Sequence, residues 1–209
     1  MELTIYFIVI FIIVSLVFSC IQWQSNQETQ EDYQTWAQSY NWDYNPNRDY
    51  ETYRHYSHSR QLQKGFDQYA FDVLKGIWDE YPFLSFNFHY ATGGKRTSHY
   101  YIGVVMIQIE KSFSQLVIRP KSFFEQVGNA LGFQDTIFKS VEFSERFTVG
   151  CTDEYFAKNF CHSGVREYLL SRPDTGLEIN KNMLIAFIKQ LRYSDYLNSI
   201  NLCFISPLP

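Results

Sequence analysis

The stretch Leu84–Ile109, LSFNFHYATGGKRTSHYYIGVVMIQI, decides the fold. In its first part Leu84, Phe86, Phe88 and Tyr90 alternate with Ser85, Asn87, His89 and Ala91. Side chains two apart share one face of a strand, so the alternation predicts a half-buried strand. Gly93-Gly94-Lys95-Arg96 then supplies turn residues. From Thr97 to Ile109 the chain is apolar at successive positions, as a strand covered on both faces would be. The two strands make a hairpin. With a four-residue turn, Tyr90 would face His99 and His89 would face Tyr100, as cross-strand polar–aromatic pairs.

Beyond the hairpin, Gln115–Arg119 reads as a third strand, stopped by Pro120. Ser122-x-x-Glu125 has capping-box spacing and opens a helix through Phe123, Val127 and Leu131, which Gly132 ends. Residues 135–138 and 143–150 read as short strands. Phe143 and Phe147 point inward, and Glu142, Glu145 and Arg146 outward. Asp153 or Thr152 opens a helical turn carrying Phe156 and Phe160. Ser163 opens another through Val165, Tyr168 and Leu169, as far as Arg172-Pro173. Leu177–Ile188 is expected to be a hairpin around Asn180-Lys181-Asn182, and Ser194 to begin a last helix. Upstream, Phe66–Ile77 reads as helix or irregular chain. The fold class is therefore α+β, a mostly antiparallel sheet with three or so short helices, over residues 61–209.

This domain is expected to follow an anchor. Leu3–Ile21, LTIYFIVIFIIVSLVFSCI, holds no charge. As a helix it would extend about 28 Å, close to the thickness of a hydrocarbon core. Trp23 follows at the expected lipid–water boundary. Residues 1–23 thus read as a single transmembrane helix. The rivals are a cleaved signal peptide, which lacks its basic start, and a lipoprotein modified at Cys20. Arg48 is the first basic residue, too distant to orient the span; reduced thiols favour a cytoplasmic domain. Residues 24–60, rich in Gln, Asn, Ser and Tyr and poor in aliphatics, read as a flexible linker.

Charge narrows the partners. The net charge of −4 falls wholly outside the domain, since residues 61–209 carry 15 acidic and 15 basic side chains. A neutral domain without a basic run argues against nucleic acid as a partner. The expected partners are a membrane, through residues 3–21, and an unidentified protein.

No constellation commands a chemistry. Of the four cysteines, Cys20 ends the apolar segment, and Cys151, Cys161 and Cys203 are too irregular for a disulfide framework. Reduced thiols are expected, with a Cys151–Cys161 bridge as the alternative in an oxidising compartment. Cys151, Cys161 and His162 are weak candidates for a thiol nucleophile or a metal site. The spacing fits neither a paired-ligand zinc motif nor a known nucleophile motif. His89 and His99 read as sheet-surface histidines, and His55 and His58 as solvated side chains. Gly93-Gly94-Lys95 lacks the P-loop pattern, and Asp67, Asp72, Asp79 and Glu80 have no distinctive carboxylate spacing. Catalytic residues, cofactor ligands and metal ligands are accordingly assigned as none.

At LVIRPKSFF (116–124), VEFSERFTVGCTDEYFAKNF (141–160) and LEINKNMLIAFI (177–188) the chain resembles a family of uncharacterised prokaryotic membrane-anchored proteins. The resemblance spans roughly residues 84–190. It implies a fold and a membrane setting, and it carries over no activity or site residue. The leading expectation is a non-enzymatic, membrane-tethered interaction or scaffold domain. A small-ligand or lipid-binding domain is the alternative, prompted by the aromatic content and the two-sided apolar strand. A cysteine-dependent hydrolase is the third.

Overall fold

The structure, a computed structural model, describes residues 30–56, 59–94, 96–121 and 140–189. The expected anchor, Cys20, Cys203, the Ser122 helix, the 135–138 strand and the Ser194 helix lie outside these residues. Among the described residues no helix is long and apolar enough to cross a membrane.

Residues 30–39 form helix α1, which belongs to a unit separate from the sheet. Tyr33, Trp36 and Ala37, at helical spacing, are buried on one face of it.

The second unit begins at Trp42, ahead of the boundary at residue 61 expected from composition. It is built on six antiparallel strands: β1 (Asp43–Asn45), β2 (Phe66–Trp78), β3 (Tyr81–Thr92), β4 (Ser98–Pro120), β5 (Phe147–Cys151) and β6 (Gly176–Lys189). Helices α2 (Val141–Arg146), α3 (Glu154–Phe160) and α4 (Ser163–Ser171) flank β5 in sequence. The fold is therefore α+β with an antiparallel sheet of six strands. The stretch expected as a linker contributes β1 and a 3-10 turn, Thr52–Tyr56, because its aromatics bury what its missing aliphatics do not. Tyr53 reaches the core beside Phe88, with ring centroids 5.1 Å apart.

Strand β4 organises the sheet. One edge pairs with β3 over residues 98–107 and then with β5 over 116–120; the other edge pairs with β6 from 102 to 118. The expected strands at 97–109 and 115–119 are thus one 23-residue strand, Ser98–Pro120, with Thr97 left in the loop before it. The hairpin to β3 pairs Tyr90 with Tyr100 and His89 with Tyr101, one residue off the expected register. The loop between Thr92 and Ser98 holds five residues rather than four.

Three further elements differ from expectation. Phe66–Ile77 is strand β2, because a two-residue turn folds it onto β3: Asp79 and Glu80 have φ of 47° and 72°, the geometry of a type I′ hairpin. The segment 143–150 is helix α2 as far as Arg146 and strand only from Phe147. Ser140 caps that helix by accepting from the Phe143 amide at 3.4 Å; Phe143 and Phe147 still point inward, stacked at 5.1 Å. Leu177–Ile188 is not a hairpin. Lys181 adopts φ of 55° opposite Phe113, between two register shifts, and so bends a continuous strand without reversing it. The Asp153 cap holds as expected, accepting from the Phe156 amide at 3.1 Å, with Phe156 and Phe160 buried.

The main aromatic and aliphatic cluster lies on one face of the sheet. Leu84, Phe86, Phe88 and Tyr90 of β3 join Ile102, Val104 and Met106 of β4 and Ile185 and Phe187 of β6, with Tyr53 and Leu62 packed on them. The other face of β3 is not open. Ser85, Asn87 and His89 are only 0%, 1% and 2% exposed, so the strand is buried on both faces rather than half-buried. The alternation misleads there because each polar group finds a partner inside, which removes the cost of burying it.

Candidate functional site

The buried polar row of β3 lies beside two irregularities of β2. Between Phe66↔Ala91 and Tyr69↔His89, and again between Phe71↔Asn87 and Leu74↔Ser85, β2 holds one residue more than β3. Asp67 and Asp72 mark these bulges, each at φ of 51°. Aspartate is among the few residues with a side chain that enter this left-handed region readily. Each bulge offers the β3 row an acceptor. The Asp72 carboxylate accepts from Asn87 Nδ2 at 3.3 Å and from the Tyr44 hydroxyl at 2.9 Å. Burial raises the Asp72 carboxyl above the usual range, against the opposing effect of those two hydrogen bonds. The Asp67 carbonyl accepts from His89 Nδ1 at 2.9 Å. Ser85 completes the row by donating to the Val104 carbonyl at 3.1 Å.

The Asp67 bond fixes the tautomer of His89. A carbonyl only accepts, so Nδ1 carries the proton and Nε2 of the neutral ring holds a lone pair. That nitrogen faces His99 Nδ1 at 3.0 Å, so His99 donates to it. The pair is diagonal across the hairpin, because His99 is registered with Ala91 and His89 with Tyr101. Tyr69 stacks on the His89 ring at 4.5 Å, and the Arg48 guanidinium lies 4.4 Å from the Tyr69 ring centre. Among the described residues, three potential metal donors gather in one place: Asp67, His89 and His99, whose ligand atoms all lie within 4.8 Å of one another. His89 is buried, whereas Asp67 and His99 are exposed, so the cluster opens to solvent on one side.

The residues singled out in the sequence form no such group. Cys151 ends β5 half-buried, and Cys161 follows α3 fully buried; neither is in a disulfide. Burial pushes the Cys161 thiol up to about 12, with Arg166 only partly offsetting it. It is therefore a thiol, not a nucleophilic thiolate. His162, rather than Ser163, caps α4: its Nδ1 accepts from the Gly164 amide at 3.2 Å. The proton then belongs on Nε2, which is buried and has no hydrogen-bond partner among the described residues. A ring committed in this way has no lone pair left with which to activate a thiol.

Reading the sequence missed the Asp67–His89–His99 cluster. A signal was present: Phe66-Asp67 and Phe71-Asp72 repeat the same dipeptide five residues apart, with the acid at each bulge. Elsewhere, Lys64 is lowered to about 8 by burial and by the charge of Arg119.

No family model and no curated protein matches the chain. A solved structure does: the mycobacterial trehalose monomycolate transport factor A, TtfA, aligns with a TM-score of 0.59 over 86% of this chain and 96% of that one, at 13% identity. At that identity the likeness is one of fold.

Proposed function

We propose that this chain is a membrane-tethered, non-enzymatic accessory domain that acts by contact with other components of a lipid-handling assembly. The observation that carries the reading is the shared fold with a transport factor over nearly all of the solved chain of that protein. The apolar run at 3–21 supports it: the run is uncharged, long enough to span a hydrocarbon core as a helix, and precedes in sequence the sheet unit that begins at Trp42. The capped His162 and the inert Cys161 fit a domain that binds rather than cleaves. Cross-linking of the full chain in intact membranes, followed by alkaline carbonate extraction, tests this. The chain should stay in the pellet and cross-link reproducibly to an integral-membrane partner. Release by carbonate, with no cross-link above that of an unrelated membrane protein, would overturn the proposal.

Small-ligand binding has one specific support, an open groove of about 550 Å³ at the Thr52–Tyr56 turn. Asp49, Glu51, His55 and Lys75 supply polar groups there, and Phe83 and Leu84 apolar ones, a combination suited to an amphiphile. Displacement of a fluorescent fatty-acid probe, sensitive to Lys75→Glu, is the corresponding test.

A further inference from the structure

We propose that Asp67, His89 and His99 bind a divalent transition-metal ion, of which Zn²⁺ is the best fit. The inference is independent of the accessory-domain reading. Two imidazoles and a carboxylate are the donor set such an ion prefers over Mg²⁺ or Ca²⁺, which take oxygen ligands. The geometry is close to ready. Zinc holds imidazole nitrogen at about 2.0–2.1 Å, so two nitrogens in a tetrahedral shell lie roughly 3.3 Å apart. His89 Nε2 and His99 Nδ1 are 3.0 Å apart.

The more telling feature is behind the cluster. Histidine ligands of metals characteristically donate their other ring N–H to a carbonyl or carboxylate, which sets the tautomer and aims the lone pair. His89 does this through Nδ1 to the Asp67 carbonyl at 2.9 Å, while its ring is stacked against Tyr69 and nearly fully buried. One residue thus serves twice: the Asp67 backbone orients His89, and the Asp67 side chain is the third ligand. The bulge at φ of 51° places it beside the pair. His99 and Asp67 are exposed and free to move the few tenths of an ångström to about 2 Å that closure requires, given donor atoms all within 4.8 Å. In the metal-free pair the His99 Nδ1 proton occupies the place of the ion. On binding, that proton moves to the exposed Nε2, the N–H···N bond is replaced by two N–metal bonds, and the ring stays neutral. The solvent-facing side leaves a fourth position for water.

The test uses the full chain in detergent, stripped with a chelator and dialysed against micromolar Zn²⁺ or Co²⁺. The expected result is one ion per chain and the intense visible absorption of four-coordinate Co²⁺. Zn²⁺ titration should shift the ¹⁵N resonances of His89 Nε2 and His99 Nδ1 in the unsubstituted chain, a readout that needs no variant. His99→Ala and Asp67→Asn alter exposed side chains, and asparagine tolerates the left-handed backbone. Each should weaken binding by roughly tenfold or more. Substoichiometric uptake overturns the proposal. So does uptake that neither variant weakens, or a thiolate charge-transfer band with Co²⁺, since the ion would then be held elsewhere.

Discussion

Replacing Gly76 with alanine tests how firmly the segment before β1 is built into the domain. A Cβ at position 76 would lie 2.1 Å from Trp42 Cδ1 and 2.6 Å from Cγ, so the indole must move. The ring has much to lose. Its Nε1 donates to the Ile77 carbonyl at 2.9 Å, and it packs on Phe83 and Trp78 with centroids 4.5 and 5.5 Å away. A buried aromatic of this size covers about 150–250 Å², which at about 25 cal/mol per Å² is about 4–6 kcal/mol. Losing half of that, and the hydrogen bond at about 1 kcal/mol, gives a cost of about 3–4 kcal/mol. At about 2–4 °C per kcal/mol for a chain of this length, Tm falls by roughly 10 °C. An unhindered Gly→Ala change has the opposite sign, stabilising by about 0.4–1 kcal/mol. The assay is thermal unfolding of Gly76→Ala, Trp42→Ala and the double variant, followed by circular dichroism. In the Trp42→Ala background the Gly76 substitution should cost nothing, which makes the coupling between the two sites about 3 kcal/mol. A neutral or stabilising Gly76→Ala, or an equal loss with and without the indole, would refute the packing described for Trp42.

Two further outcomes follow from buried polar groups. Lys64 gives up its proton near pH 8 when folded, but at about 10.4 when unfolded. Between those values the unfolded chain binds more protons, so stability rises with pH across that window; urea midpoints at pH 7 and 9.5 should show the rise, and Lys64→Met should flatten it. Asp72→Ala loses both the Tyr44 and Asn87 hydrogen bonds and strains a backbone at φ of 51°, at a cost of about 2–4 kcal/mol. Asp72→Asn tolerates the backbone and should cost about 1 kcal/mol, a ranking that chemical denaturation of the two variants checks.

The sequence was most informative where one physical rule acted alone. The β3–β4 hairpin follows from alternation and a glycine turn, and the α3 cap from an aspartate three residues before an apolar position. It misled where a second rule intervened. In Phe66–Trp78 each bulge adds a residue and resets the period of two, so neither strand nor helix spacing holds along the whole segment. Asn180-Lys181-Asn182 has hairpin chemistry, but one left-handed residue only bends a strand, whereas a type I′ reversal needs two in succession, as at Asp79-Glu80. The candidate metal cluster was hidden twice over. Polar residues on alternate positions of β3 resembled a wet face, and Asp67 lies on a different strand whose proximity only the register reveals. Trp42 and Tyr53 were masked by the polar residues around them; burial was decided by individual aromatics, not by regional composition.

The pairing of β4 also sets an order of assembly. Its β3 edge is satisfied at once by a hairpin, but the edge running through Val104–Ile107 waits for Leu184–Phe187, roughly 80 residues later in the chain. At about 5–20 residues per second of synthesis, that edge is open for about 4–16 seconds. An unpaired apolar strand edge invites any extended segment that can complete it. A nascent chain held at a membrane by its N-terminus, as proposed for this one, would spend that interval at high local concentration of its neighbours. Strand β6, the last of the described strands to emerge, is therefore the one that closes this edge to unintended company.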